Sequence, residues 1–139
     1  MKSIRRLILI VYIVLLLGIM RICILTIPFR YYARRLKKVY ATSSLLSEKV
    51  QLGYARLIGR FITKVSRFTP WQSKCLVQAL VAKILFRRFK IMNNMFIGVG
   101  FDDKGKFIAH TWIDVGGVTV LGGVDNTRFK IMSSFADSF

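Results

Sequence analysis

The hydrophobic period changes once along this chain, near Met92-Asn93-Asn94, and the change constrains the fold more than any other feature. Before it, apolar residues recur at helical spacing. Val50, Tyr54, Leu57, Ile58, Phe61, Ile62 and Val65 mark one face of a helix over 45–67. Leu76, Val77, Leu80, Val81, Ile84 and Leu85 mark a second helix that runs to about Lys90. Thr42, Ser43 and Ser44 are caps for the first of these. The second has two candidate starts: Thr69, with Pro70 next and Gln72 completing a capping box, or Ser73. After residue 92 the period falls to two. Met95–Phe101 and Phe107–Val115 read as strands, Gly116-Gly117 as a two-residue hairpin turn, and Val118–Leu121 as the returning strand. Helices followed by an antiparallel meander predict an α+β fold.

With 139 residues the chain can bury one core. Two regions are expected: an apolar, basic helical segment over 1–40 and a folded domain over 41–139. In the first, Lys2, Arg5 and Arg6 precede an apolar run from Leu7 to Met20, and the helix over 4–26 is stopped by Pro28. The uninterrupted run of 14 residues falls short of the ~20 that span a bilayer. Counting through Arg21 reaches that length, at roughly 2.5–3.5 kcal/mol for a central arginine. Arg21-Ile22-Cys23-Ile24 also makes a poor signal-peptide cleavage site. A buried or membrane-surface helix is favoured over a spanning one. Residues 29–38 form a short basic amphipathic stretch.

Charge is distributed unevenly. Residues 1–70 carry 14 Lys/Arg against the single acid Glu48, and residues 71–139 carry 9 against 5 acids. So positive a field favours an anionic partner: acidic peptide, nucleic acid or anionic lipid. No nucleic-acid motif accompanies the charge, and the aromatics are not interleaved as a stacking platform, so nucleic acid is not an expected partner. Two cysteines and one histidine make neither a disulfide framework nor a zinc site, so no metal is expected. Lone thiols fit a reducing compartment, hence a cytoplasmic location.

Cys75 stands near the start of the helix that follows Trp71, where unpaired backbone N–H groups favour a negative charge. Those amides suit a thiolate and a tetrahedral oxyanion. His110 alternates with Ile108, Trp112 and Asp114 on one strand face. A thiol protease needs an imidazole that first takes the thiol proton and then gives it to the leaving amine. The bland reading stands beside this one: a lone helical cysteine is commonly a small buried hydrophobe. Cys23, among Ile22, Ile24 and Leu25, is read that way.

The segment Ser73-Lys74-Cys75-Leu76-Val77-Gln78-Ala79-Leu80 resembles the S-x-C-L-x-x-A-L nucleophile helix of the transglutaminase-like B proteins of lasso peptide biosynthesis. Ile97-Gly98-Val99 and Ala109-His110-Thr111-Trp112-Ile113-Asp114-Val115 resemble their I-G-V and A-H-A-W-V-E-V strands, and Pro28-Phe29-Arg30 is similar to an L-P-F-R stretch in their N-terminal part. The resemblance implies a papain-like cysteine protease that cuts the leader from a precursor peptide. A separate winged-helix protein then recognises the leader, and an ATP-dependent cyclase closes the ring. Cys75 is the implied nucleophile and His110 the base and acid, with the Cys75 backbone N–H and Gln72 as oxyanion donors; no cofactor is required. The chain departs from the pattern at the third catalytic position. The family's aspartate, about twelve positions after the histidine, is Gly122 here. Counting from the turn, His110 faces Gly123. Asp125 is the expected substitute; Asp114 is the alternative, though it lies ~13 Å along the strand. A backbone carbonyl or a partner's residue is a further option. An inactive relative, a basic membrane-associated protein that binds a partner without catalysis, is the competing reading.

Overall fold

The computed structural model describes residues 1–36, 46–69, 74–123 and 126–137. Four helices precede four strands: α1 (Lys2–Thr26), α2 (Phe29–Leu36), α3 (Glu48–Ser66), α4 (Cys75–Arg88), β1 (Asn93–Phe101), β2 (Phe107–Val115), β3 (Val118–Leu121) and β4 (Lys130–Asp137). The strands form one antiparallel sheet in the order β3-β2-β1-β4, so the fold is α+β. The first three strands are the expected meander. The fourth, which periodicity did not reveal, returns to pair with β1 on the far edge.

α4 is the central helix. Val77, Leu80, Val81, Leu85 and Phe86 are buried, as are Ala79 and Ala82, whose small side chains let neighbours come close. One sheet face supplies Met95, Ile113, Val115, Leu121 and Phe135 to this core, and α3 and α1 supply Ile58, Ile62, Ile13 and Leu17. Gln51 near the start of α3 accepts from the Met92 N–H at 2.9 Å, just past the end of α4, so the two helices run antiparallel. Beneath that end, Lys83 on α4 is bonded to the Asp137 carboxylate at 2.9 Å and to the Phe135 carbonyl at 2.8 Å, and Arg87 reaches the same carboxylate.

Three local expectations are corrected. The inward face of α3 is turned by about one residue. Gln51, Ala55 and Gly59 are buried with Ile58, Ile62 and Val65, while Val50, Tyr54 and Leu57 are exposed. The reason is the close approach of β3: a Cβ on Gly59 would fall on the Val120 carbonyl oxygen. Second, α4 begins at Cys75, with Lys74 as its N-cap and no side-chain capping bond. Third, the hairpin keeps Val115 opposite Val118, but the register shifts between Ile113 and Asp114, so Ile113 faces Leu121. One extra residue in β3 makes a bulge, and counting from the turn fails beyond it. The caps read at Thr42, Ser43, Ser44 and Ser73 lie outside the described residues.

Candidate functional site

Cys75 is the first residue of α4 and is half-buried. The Lys74 carbonyl accepts from the Gln78 N–H, so the first-turn amides N-terminal to that bond have no partner within the helix. A sulfur there lies beside donors that suit an anion.

His110 is held from the other layer. It sits opposite Gly98 in the β1–β2 ladder, on the face that carries Phe96 and Trp112, whereas Thr111 and Ile113 point into the core. Its ring lies 6.0 Å from that of Trp112, nearly parallel, and 5.1 Å from that of Phe129. Phe96 stacks on Trp112 at 5.4 Å. These rings wall one side of the imidazole against water. Its polar contact is with Gly122, whose carbonyl oxygen lies 2.8 Å from Nε2. A carbonyl only accepts, so Nε2 carries a proton, and in the neutral ring the lone pair is then on Nδ1.

The backbone around Gly122 explains this contact. β3 ends at Leu121, and β2 loses its partner on that side from Trp112 backward. Gly122 turns there with φ +74°, and a Cβ on it would meet the Thr111 carbonyl oxygen. A left-handed turn this close to a strand admits glycine and little else. Gly122 therefore presents its carbonyl to the ring.

The chain order brings the start of α4 and the Gly122 turn toward the same end of α3. α3 starts beside Met92 and finishes beside Gly122: Arg60, Lys64, Arg67 and Phe68 of that helix and its extension line a groove of about 510 Å³ with Thr119–Gly123. Cys75 follows Phe68 by seven residues and opens a helix antiparallel to α3. Among the described residues no hydrogen bond joins the Cys75 thiol to His110. The Asp114 carboxylate accepts from the Thr119 hydroxyl at 2.7 Å and makes no bond to the ring. Asp125 and Gln72 lie outside the described residues. Two contributors carry no motif in the sequence: Phe129, whose segment shows no period, and the groove cations Arg60, Lys64 and Arg67.

No characterised protein and no solved structure matches the chain. A family model described as the transglutaminase-like superfamily matches residues 23–134, from within α1 into β4 and across both Cys75 and His110. Over that length the helix-borne cysteine and the strand-borne histidine share one architecture, and the chain belongs to the transglutaminase-like superfamily.

Proposed function

We propose that this protein is a cysteine peptidase that removes the leader from a ribosomally made precursor during lasso peptide maturation. The observation that carries the reading is the Gly122 carbonyl at 2.8 Å from His110 Nε2. It stands where a catalytic acid is expected, fixes the tautomer, and leaves Nδ1 to act as base. Superfamily membership and the position of Cys75 at the first residue of α4 support the same reading.

In the mechanism, peptide binding brings Sγ to Nδ1, a contact that commonly tightens only in the substrate complex. Nδ1 takes the thiol proton, and the thiolate attacks the carbonyl at the end of the leader. The oxyanion accepts from the Cys75 N–H. The imidazolium then protonates the departing amine of the core peptide, leaving a thioester on Cys75. Water, deprotonated by Nδ1, hydrolyses it and frees the leader as a carboxylate. The core amine is the group that a separate ATP-dependent cyclase consumes. A winged-helix partner recognises the leader, and the groove with Arg60, Lys64 and Arg67 receives acidic residues of the peptide. The reaction runs in the cytoplasm.

The test is incubation of the protein with precursor peptide and winged-helix partner, read by mass spectrometry. Leader and core fragments are expected with the wild type, and neither with Cys75→Ala or His110→Ala. The absence of a thiol–imidazole hydrogen bond favours one other reading, a partner-binding protein without catalysis. Cleavage that survives Cys75→Ala removes the peptidase reading, and pathway output that survives it supports the alternative.

A further inference from the structure

From Leu7 to Met20, α1 carries no charged residue on any side. Within its 25 residues an 18-residue stretch reaches a mean hydropathy of 2.9, and 11% of that stretch is buried in the protein. The inner side holds Ile13 and Leu17, both fully buried in the core beside α3 and α4. The outer side carries Leu7, Val11, Leu15, Ile22 and Leu25, between 49% and 67% exposed. These residues fall on one face at helical spacing. A continuous apolar strip of this length is not left to water.

Three occupants compete for the strip. Crossing a bilayer would draw Ile13 and Leu17 out of the core, or carry α3 with Lys49, Arg56 and Arg60 into lipid, where each cation is costly. A second copy would bring together two helices that share one sign of charge. Lys2, Arg5 and Arg6 begin α1, Arg21 lies in its second half, Arg30, Arg34 and Arg35 follow on α2, and the first acid in the chain is Glu48. A bilayer surface with anionic headgroups satisfies both features, since apolar side chains enter the acyl boundary while the cations meet the phosphates.

We propose that α1 lies in the plane of an anionic bilayer, with its outer stripe immersed and its inner stripe retained in the domain core. The helix is thus shared between two apolar phases, one protein and one lipid. Its mean hydropathy is high because both sides are needed. The groove that ends at Gly122 is then held near the membrane surface, because α1 packs directly on α3 and α4.

The experiment uses the full chain with vesicles of phosphatidylcholine alone or with 30 mol % phosphatidylglycerol (roughly physiological anionic content). Co-sedimentation is expected with the anionic vesicles and at least tenfold less with the neutral ones. The double variant Leu15→Gln/Ile22→Gln changes only exposed positions. It is expected to keep the wild-type circular dichroism and lose at least tenfold in partition. Nitroxide-lipid quenching of a fluorophore placed in turn at 7, 15 and 22 should report one shallow depth for all three. A deep position 15 between shallow 7 and 22 overturns the proposal in favour of spanning. Equal binding to both vesicle types, or none, overturns it as well. So does a dimer in sedimentation velocity that the double variant abolishes.

Discussion

Gly122 serves His110 through its backbone, and that choice has a cost that can be measured. A carboxylate would add a charge to stabilise the imidazolium; a carbonyl fixes the tautomer but adds only a dipole. Gly122→Ala places a Cβ at φ +74° against the Thr111 carbonyl. The expected loss of stability is about 1–3 kcal/mol, read by urea unfolding. Once the carbonyl is displaced, cleavage should fall by at least about tenfold out of the 10²–10⁴ that a positioned base supplies. The buried ion pair is a second single-residue test. Burial pushes the Lys83 pKa down; its hydrogen bond and charge contact with Asp137 pull it partly back, and Arg87 lowers it further. Between that lowered value and the ordinary ~10.4 the unfolded chain holds a proton that the folded chain has released. Stability from this group therefore rises with pH across the window, is complete above ~10.4, and is lost as pH falls through the folded value. Lys83→Met is expected to flatten that rise in pH-dependent urea unfolding. Asp137→Ala leaves the lysine buried without its acid and should cost about 3–5 kcal/mol.

At the scale of elements, α3 meets β3 backbone to backbone at Gly59, and this contact sets which side of the helix faces inward. Gly59→Ala should force α3 off the Val120 carbonyl and destabilise the fold by about 1–3 kcal/mol, with Gly53→Ala, where nothing lies near the added carbon, as the control that does not. Here the limit of pattern reading has a physical cause. Apolar content favours Val50, Tyr54 and Leu57 as the inner face, yet packing against a strand backbone rewards the small Ala55 and Gly59. The strands β2 and β3 and their Gly116-Gly117 turn were legible because alternation and two positive-φ glycines are local signals. β4 was not. Residues 130–137 read Lys-Ile-Met-Ser-Ser-Phe-Ala-Asp, and on this edge strand Phe135 and Asp137 are the buried side chains, so little alternation is left to detect. Cys75 and His110 were legible as types on an element start and a strand. The Gly122 carbonyl contact depends on a bulge and on the end of β3, both outcomes of tertiary packing that no local pattern encodes.

The whole molecule carries a net charge of +17, and this field acts on folding as well as on partners. The ion pairs among the described residues use Lys83, Arg87 and Arg128. With 23 Lys/Arg against 6 acids, most cations have no acid to pair with, and folding brings them closer together than they are in the extended chain. At ~10 mM salt the screening length is ~30 Å, on the order of a small domain's diameter, so nearly all of these cations repel one another; at 0.15 M it is ~8 Å and only neighbours do. Added NaCl should therefore stabilise the fold, by about 1 kcal/mol between these concentrations, the scale of a few surface charge contacts. Urea, being uncharged, is the denaturant that exposes the effect, and the unfolding midpoint should climb with salt. The same salt weakens attraction to an acidic peptide or an anionic bilayer. Folding and partner binding should thus respond to ionic strength with opposite sign, which separates a charge-driven docking surface from one held by apolar contact alone.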